Sequence, residues 1–406
     1  MDWFYEVVRT SYLSDKKIVL GITGGVACYK AIELMRQFQK AGANVQVVMT
    51  KMAQRFLGPE LLEALSGNKV FVDFEGMEHI YIPHSTDLFV IAPATANIIG
   101  KIANGICDDM LTTQVIASTV PCVLVPSMNW AMLKNPATQE NLKKLRERGF
   151  IIVEPEEGDL ACGEKGEGKF PKIEKIFFWC EYALAPKIFN GEKVIVTAGP
   201  TKEFIDDVRF ISNPSSGFMG YIIAREFALF GADVKLITGG EEFDSREFLS
   251  VSKVESSEDM FLEVQRNLPT DIFVGSAAVS DFKPKSKIKG KIKKEKIEIE
   301  SGGKLLIELV KTKDIIQSVN AKVKVGFSLE DSNLQENAIE KMKKKKIDII
   351  IANPLISFRK EESEFILIEN RNGNIFSEKL GRKHKREIAR IIVDKSFKIL
   401  NSTTQN

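Results

Sequence analysis

A chain of 406 residues is too long for one ordinary domain, and two domains are the natural reading. Its formal net charge of +2, from 57 basic and 55 acidic residues, makes no bulk electrostatic case for a nucleic-acid partner. No apolar run approaches the ~20 residues that span a bilayer, so no membrane partner is expected either. Cys28, Cys107, Cys122, Cys162 and Cys180 form no CxxC pair and no metal-ligand spacing, and their scatter suits a reducing compartment. The N-terminus carries acids and no apolar core of signal-peptide type, so a cytoplasmic location is expected.

In chain order, residues 1–15 read as a short amphipathic leader without chemistry. Ile18–Thr23 is an apolar strand, Gly24-Gly25 a turn, Val26–Ala41 a helix closed by Gly42, and Val45–Met49 the next buried strand. Gly58 to Ser66 reads as helix, followed by a loop carrying His79. Leu88–Ala92 is a strand ending in Pro93, Ala94-Thr95-Ala96-Asn97 opens a helix, and Val123–Pro126 is a further strand. Thr23, Thr50, Pro93 and Pro126 each end a strand, so small or polar residues converge on one sheet edge, where α/β proteins bind ligands. Glu154–Pro171 reads as a Gly-rich charged loop and Lys172–Ala185 as a helix. A first domain over 16–185 and a linker over 186–192 follow.

The second domain, 193–400 with a tail at 401–406, repeats the opening at Val194–Gly220, VIVTAGPTKEFIDDVRFISNPSSGFMG. A strand at Val194–Thr197 strikes a glycine turn, and Ser216–Phe230 is a helix whose first N–H groups suit a phosphate. Asp233–Thr238, Ile272–Ser276, Leu305–Val310, Val323–Phe327 and Ile347–Ala352 read as strands, and Ser257–Leu268 as a helix. A hairpin at Glu364–Glu369 and Asn374–Glu378 precedes a terminal helix. The fold class is α/β: two doubly wound Rossmann-like domains.

Each candidate site also has a plainer reading. Thr23-Gly24-Gly25 either cradles a phosphate or is a tight turn without ligand, since it is not GxGxxG. His79 is a base near neutral pH or a surface histidine. Asn129 is an amide donor to a substrate carboxylate or a helix cap. Cys162, flanked by Ala161 and Gly163, is an accessible acid or nucleophile, or an inert loop thiol. The lysines of Lys283–Lys296 neutralise a triphosphate or form a solvated face.

Taken together these motifs resemble the bacterial bifunctional coenzyme A biosynthesis enzymes, which fuse a phosphopantothenoylcysteine decarboxylase to a phosphopantothenate–cysteine ligase. The resemblance runs from Lys17 to Lys395. Thr23, Gly24, Gly25 and Ala27 resemble the family's flavin phosphate turn, and Thr50, Phe56, Ala94, Thr95 and Asn97 stand where it contacts FMN. His79 matches its active-site histidine. Pro126-Ser127-Met128-Asn129 with Met132 resembles its substrate motif, and Ala161-Cys162-Gly163 its loop cysteine. Gly168-Lys169-Phe170 departs from the usual Gly-Arg-Met: lysine keeps the charge and loses the bidentate fork. In the second half, Gly199 and Pro200, the Asn213–Gly220 signature with Ser215, Ser216 and Gly217, Ala277-Ala278-Val279-Ser280-Asp281-Phe282, and Phe327 fit the ligase's nucleotide site. Phe218 stands where lysine is usual. Lys291-Ile292-Lys293-Lys294 matches its Lys-x-Lys-Lys motif.

The resemblance implies that the first domain is flavodoxin-like and the second nucleotide-binding, with FMN as cofactor, CTP with Mg²⁺, and 4'-phosphopantothenate and cysteine as substrates, and metal ligands unassigned. It implies that His79, Asn129 and Cys162 act in decarboxylation and Asn213 and Lys291 in ligation. It also implies a homo-oligomer, with trimeric flavin domains and dimeric ligase domains. Two other readings are a flavin-dependent decarboxylase of a different cysteine or aromatic acid, against which the ligase half speaks, and a nucleotide- or flavin-binding sensor with a dead site, which a bound-flavin spectrum would exclude for the first half.

Overall fold

The computed structural model describes residues 3–159, 163–241, 243, 248–293, 305–331, 333–354, 362–371 and 373–403. The chain divides into two units, Met1–Ala185 and Pro186–Asn406.

In the first unit, short aliphatic runs form β1 (Lys17–Ile22), β2 (Asn44–Met49), β3 (Leu88–Ala94), β4 (Cys122–Pro126) and β5 (Ile151–Ile152). All pairs are parallel and the spatial order is β2-β1-β3-β4-β5, the flavodoxin-like order. Every residue of β3 is buried, as a central parallel strand covered on both faces requires. Val19, Phe89, Ile91 and Leu124 meet Ile98, Ile102, Leu111 and Leu145 from the helices Ala96–Ala103, Met110–Ile116 and Pro136–Glu147. The helix Lys30–Lys40 buries Ala31, Leu34, Met35 and Phe38 at helical spacing and packs beside Ile173–Leu184.

Three local readings change. The helix expected from Val26 begins as a 3₁₀ turn, Val26–Tyr29. His79 lies on a helix, Glu78–His84, not in a loop; Pro83 sits in its last turn, where the missing N–H costs a single intrahelical bond. Glu154–Pro171 is not an unstructured loop but holds an antiparallel hairpin of β6 (Glu156–Asp159) and β7 (Lys165–Lys169). Backbone pairing and docking on Met128 build that hairpin, whose sequence lacks the β-branched alternation that marks a strand. Residues before β1 contribute to the core: Phe4, Val7, Val8 and Leu13 are buried, and Ser11 Oγ and Tyr12 N donate to the buried Glu181 carboxylate at 2.8 and 3.0 Å.

In the second unit the main sheet runs β12 (Ser250–Lys253), β11 (Asp233–Thr238), β8 (Lys193–Ala198), β13 (Ile272–Gly275), β16 (Val323–Glu330), β17 (Ile349–Pro354), β18 (Glu362–Arg371), β19 (Asn374–His384). From β12 to β17 the pairing is parallel, which is the Rossmann order, and β18 and β19 add an antiparallel edge. Two small antiparallel sheets pair β9 (Lys202–Phe204) with β10 (Phe210–Ser212) and β14 (Phe282–Pro284) with β15 (Leu309–Lys311). The strand expected over Leu305–Val310 is thus only its last part. Leu306 is 92% exposed, so that run has no core to face. The helix Phe218–Leu229, buried nearly all round, packs against the terminal helix Lys385–Thr403. Between them the buried Glu226 carboxylate accepts from Arg386 Nε at 2.6 Å, a pairing that burial demands. No helix among the described residues is long and apolar enough to cross a membrane.

Phe189 lies within the stretch expected as a linker. Its ring is 0% exposed and packs edge-on against Phe227 and Phe397, with centroids 5.3 and 5.6 Å away. Phe189→Ala is expected to destabilise the second unit by about 3–5 kcal/mol. Denaturant unfolding followed by circular dichroism checks this, and a loss under about 1 kcal/mol would show that the ring is not part of that core.

Candidate functional site

At the carboxyl edge of the first sheet, two clefts of about 510 and 710 Å³ share Gly24, Thr95, Ala96 and Met132. The smaller adds Thr23, Thr50 and Asn97; the larger adds Gly25, Ala27, Asn129, Lys169 and Phe170. The turns bring these residues together by close approach. A Cβ on Gly24 would stand 2.2 Å from Met52 Cγ, so the turn after β1 passes the turn after β2 only as glycine. Thr23 is a brace: its buried hydroxyl donates to the Pro93 carbonyl at 2.7 Å and accepts from Thr95 N at 3.2 Å, locking the ends of β1 and β3 together. Thr95 caps the helix Ala96–Ala103 by accepting from Ile98 N. Ala94, buried at the end of β3, accepts from Ser127 N at 3.2 Å.

The three carboxylates that line the smaller cleft are paired with two lysines. Lys51 pairs with Asp73 at 2.6 Å, and Lys101 with Asp108 at 2.7 Å and Asp109 at 3.1 Å. Hydrogen bonds from Lys51 and Lys101 hold the Asp73 and Asp108 carboxyls below their usual range. The Thr50 and Thr95 hydroxyls, which only accept among the described residues, the Asn97 amide and the glycine backbone form a donor set that fits a flavin with its phosphate.

Asn129 opens the helix Trp130–Lys134, its Oδ1 accepting from Ala131 N at 2.8 Å. The hairpin β6–β7 docks on this loop, Met128 N donating to the Gly168 carbonyl at 3.1 Å and Ser127 Oγ at 3.3 Å. Gly168 has φ +129°, and a Cβ there would lie 2.0 Å from the Met128 carbonyl oxygen. His79 and Phe56 line neither cleft. The His79 ring stands edge-on to Phe74 at 5.5 Å, and its buried Nδ1 has no hydrogen-bond partner among the described residues. Cys162 and Ala161 lie outside the described residues. Burial pushes the thiols of Cys28, Cys122 and Cys180 up, away from the thiolate form.

In the second unit the turns after β8 and β11 meet the start of the helix Phe218–Leu229 without room for side chains. A Cβ on Gly199 would stand 2.2 Å from Gly240 N, one on Gly239 2.1 Å from the Pro200 carbonyl, and one on Gly240 2.3 Å from the Ser216 carbonyl. Gly217, at φ +89°, is the N-cap, so the first N–H groups of the helix open beside the Gly199 turn. Ser216 Oγ accepts from Phe218 N, and Ser215 N bonds back to the Asn213 carbonyl at 2.8 Å. Asn213 Nδ2 donates to the Ala278 carbonyl at 3.1 Å, while Ala278 N bonds the Gly199 carbonyl at 2.9 Å. Gly199, Pro200, Asn213, Ala277 and Ala278 are thereby stitched into one edge. Asp281 is exposed, and its carbonyl holds Thr312 N at 3.0 Å.

The lysine-rich stretch is anchored through its described part. Asp206 Oδ2 accepts from Ile292 N at 3.1 Å and Arg209 Nη1 at 2.7 Å, and Oδ1 from Val208 N and Arg209 N at 2.8 and 2.6 Å. Asp207 accepts from Gly290 N at 2.7 Å and pairs with Lys287 at 2.8 Å. Burial alone would raise the Asp206 pKa, but the N–H groups of Arg209, Val208 and Ile292 and the Arg209 guanidinium outweigh it and hold it at about 2. The anchor is therefore complete above the usual carboxylate range and is lost only as pH falls through about 2. Lys291 and Lys293 make no ion pair among the described residues; Lys294 lies outside them.

Phe218, where the resemblance leads one to expect lysine, does not leave a bare gap. Its ring is 7% exposed, lies 5.9 Å from Phe243, and has Lys385 Nζ 5.2 Å from its centroid. Sequence reasoning missed Lys341, on the helix Leu334–Lys345, whose Nζ donates to the Phe327 carbonyl at 2.7 Å. Burial, then Lys345, pushes its ammonium pKa down, against Glu330, Asp314 and Asp281. Only its place three residues after the buried Ala338 marks it within KMKKKK.

Fold and sites together define a two-unit α/β protein with a flavin-type half and a nucleotide-type half. The Flavoprotein family matches residues 8–180, and the DNA/pantothenate metabolism flavoprotein C-terminal domain family matches 189–399. The chain is 39% identical to the coenzyme A biosynthesis bifunctional protein CoaBC of Vibrio cholerae, across 84% of its own length and 88% of the relative's. It is 38% identical to that of Bacillus subtilis, across 84% and 86%. For that of Borreliella burgdorferi the identity is 37%, across 93% and 98%. A crystal structure of the C-terminal domain of a CoaBC protein aligns at 29% identity and a TM-score of 0.44, covering 53% of this chain and 99% of that one. The chain belongs to the family of coenzyme A biosynthesis bifunctional proteins, and its first unit is a flavoprotein.

Asp206→Asn is expected to raise the rate of tryptic cleavage within Lys287–Lys293 at least about fivefold in the native protein, because the segment loses its main anchor. An unchanged cleavage rate would show that the segment is held elsewhere.

Proposed function

We propose that the second unit joins cysteine to 4'-phosphopantothenate with CTP, and that the first decarboxylates the phosphopantothenoylcysteine so formed. The reading rests on one pairing in a chain of this family: a cleft of hydroxyls and glycines at one sheet edge, and at the other a glycine cradle facing a helix N-terminus. A carboxylate is a poor electrophile. Its oxygen attacks the α-phosphorus of CTP, pyrophosphate leaves, and the resulting acyl-cytidylate is attacked by the cysteine amine with release of CMP. Asn213 contacts the acyl phosphate, Ser215, Ser216 and Gly217 hold the phosphates, and Lys291 and Lys293 offset their charge. Phe327 and Asp281 bound the base and ribose. Mg²⁺ arrives on the CTP triphosphate; among the described residues no group of three His, Cys, Asp or Glu side chains could hold a metal.

In the first unit Thr23, Gly24, Gly25, Ala27, Thr50, Thr95 and Asn97 hold the flavin, which we assign as FMN. Bound FMN supplies a reversible two-electron oxidation of the cysteinyl thiol. At the thioaldehyde level, sulfur accepts the electron pair of the breaking C–CO₂ bond. Asn129 holds the departing carboxylate, His79 positions or deprotonates the cysteinyl group, and Cys162 returns a proton to the product.

Phe74, Met77 and Tyr81 flank His79 and are exposed. Such an apolar surface beside a histidine that lines neither cleft supports self-association of the flavin unit; trimeric flavin units and dimeric ligase units are what the family resemblance implies. The four described cysteines are free, which supports a cytoplasmic location.

His79→Asn is expected to abolish CO₂ release, by at least about a hundredfold, while leaving pyrophosphate formation from CTP intact. Loss of both activities in a folded variant would contradict separate sites.

A further inference from the structure

The Asn129 amide is already bound to a carboxylate of this chain. With Oδ1 engaged by Ala131 N, its Nδ2 donates to Glu164 Oε2 at 2.9 Å. The same oxygen accepts from Trp130 Nε1, also at 2.9 Å. Two neutral N–H donors from adjacent residues thus converge on one anionic oxygen, a strong arrangement for holding a carboxylate. The support is close-packed. Gly166 lies against Trp130, where a Cβ would stand 3.0 Å from Trp130 Cβ, and β7 is tied to Ser127 and Met128 through the Gly168 carbonyl. Asn129 lines the larger cleft with Gly168 and Lys169, while Trp130 and Glu164 do not, so the contact adjoins the cleft through Asn129.

We propose that Glu164 is an internal stand-in for the substrate carboxylate: it occupies the Asn129 and Trp130 donors when no substrate is bound, and the substrate's carboxylate displaces it. The inference rests on the decarboxylase reading of this cleft. Two carboxylates cannot share one pair of donors, because like charges at contact distance repel. Binding of phosphopantothenoylcysteine is therefore an exchange of one carboxylate for another, and the donors stay satisfied throughout. Loss of CO₂ removes the substrate's claim on the donors, and Glu164 returns to them. The exchange penalises the acid substrate and leaves its decarboxylated product untouched. Glu164 is thus a specificity-determining residue that favours release of product.

The test uses the full-length protein and its Glu164→Gln and Glu164→Ala variants. Decarboxylation of phosphopantothenoylcysteine is followed by CO₂ release, and the carboxylate-free phosphopantetheine is titrated as product inhibitor. In both variants the KM for the acid substrate is expected to fall about three- to tenfold, the size of one lost charge-assisted competitor. The inhibition constant of the product should stay within about twofold. A KM that is unchanged or higher, or a parallel change in substrate and product binding, overturns the proposal. The near-isosteric Gln variant, checked by its flavin absorbance, remains decisive if the Ala variant does not fold. Absence of CO₂ release by the wild-type protein would instead overturn the decarboxylase reading, and the proposal with it.

Discussion

The second unit depends on a place where no Cβ fits. Gly199, Gly239 and Gly240 bring the turns after β8 and β11 within 2.1–2.3 Å of where side-chain atoms would otherwise lie. Gly220 is held in the same way against Ala198, with 2.5 Å for an added Cβ. This backbone-to-backbone contact presents the helix N-terminus at Gly217 to the sheet edge, and Asn213 is then fixed by the Ala278 carbonyl. A helix end facing a side-chain-free turn is where an anion is best accommodated. The buried helix behind it, locked by Glu226 and Arg386, gives the cradle a firm base.

Around that cradle, electrostatics decide which groups are held and which remain available. Asp206 and Asp207 each take backbone N–H groups of the lysine-rich stretch, so ordering it does not consume Lys291 or Lys293. Lys283, Lys285 and Lys287 do pair, with Glu258, Glu308 and Asp207. In the first unit Lys51 and Lys101 likewise pair with the cleft carboxylates Asp73, Asp108 and Asp109, and the Thr50 and Thr95 hydroxyls and the Asn97 amide line the cleft where a ligand would sit.

Much of this was legible in the amino-acid sequence because parallel strands bury both faces and so appear as unbroken aliphatic runs. β3, β4 and, after its first lysine, β8 are of that kind. The glycine turns were legible because only glycine permits such approach. What escaped has physical reasons. The β6–β7 hairpin, EEGD against KGEGK, is held by backbone pairing and by docking on Met128, so it shows no apolar alternation. The helix bearing His79 was hidden by Pro83. Lys341 was hidden among surface lysines of its own helix, and Leu305–Leu306 looked like a strand because hydropathy does not reveal whether a core is there to receive it. The contact of Glu164 with Asn129 joins residues thirty-five positions apart and has no signature in sequence.

The central claim is that one chain carries two complementary chemistries at two sheet edges. Its most direct test supplies purified protein with phosphopantothenate, cysteine, CTP and Mg²⁺ and measures pyrophosphate and CO₂ together. The account predicts pyrophosphate first and CO₂ following it, approaching equal amounts, with neither formed when cysteine or phosphopantothenate is omitted. Pyrophosphate without CO₂ from flavin-loaded protein, or no turnover of CTP at all, would contradict it.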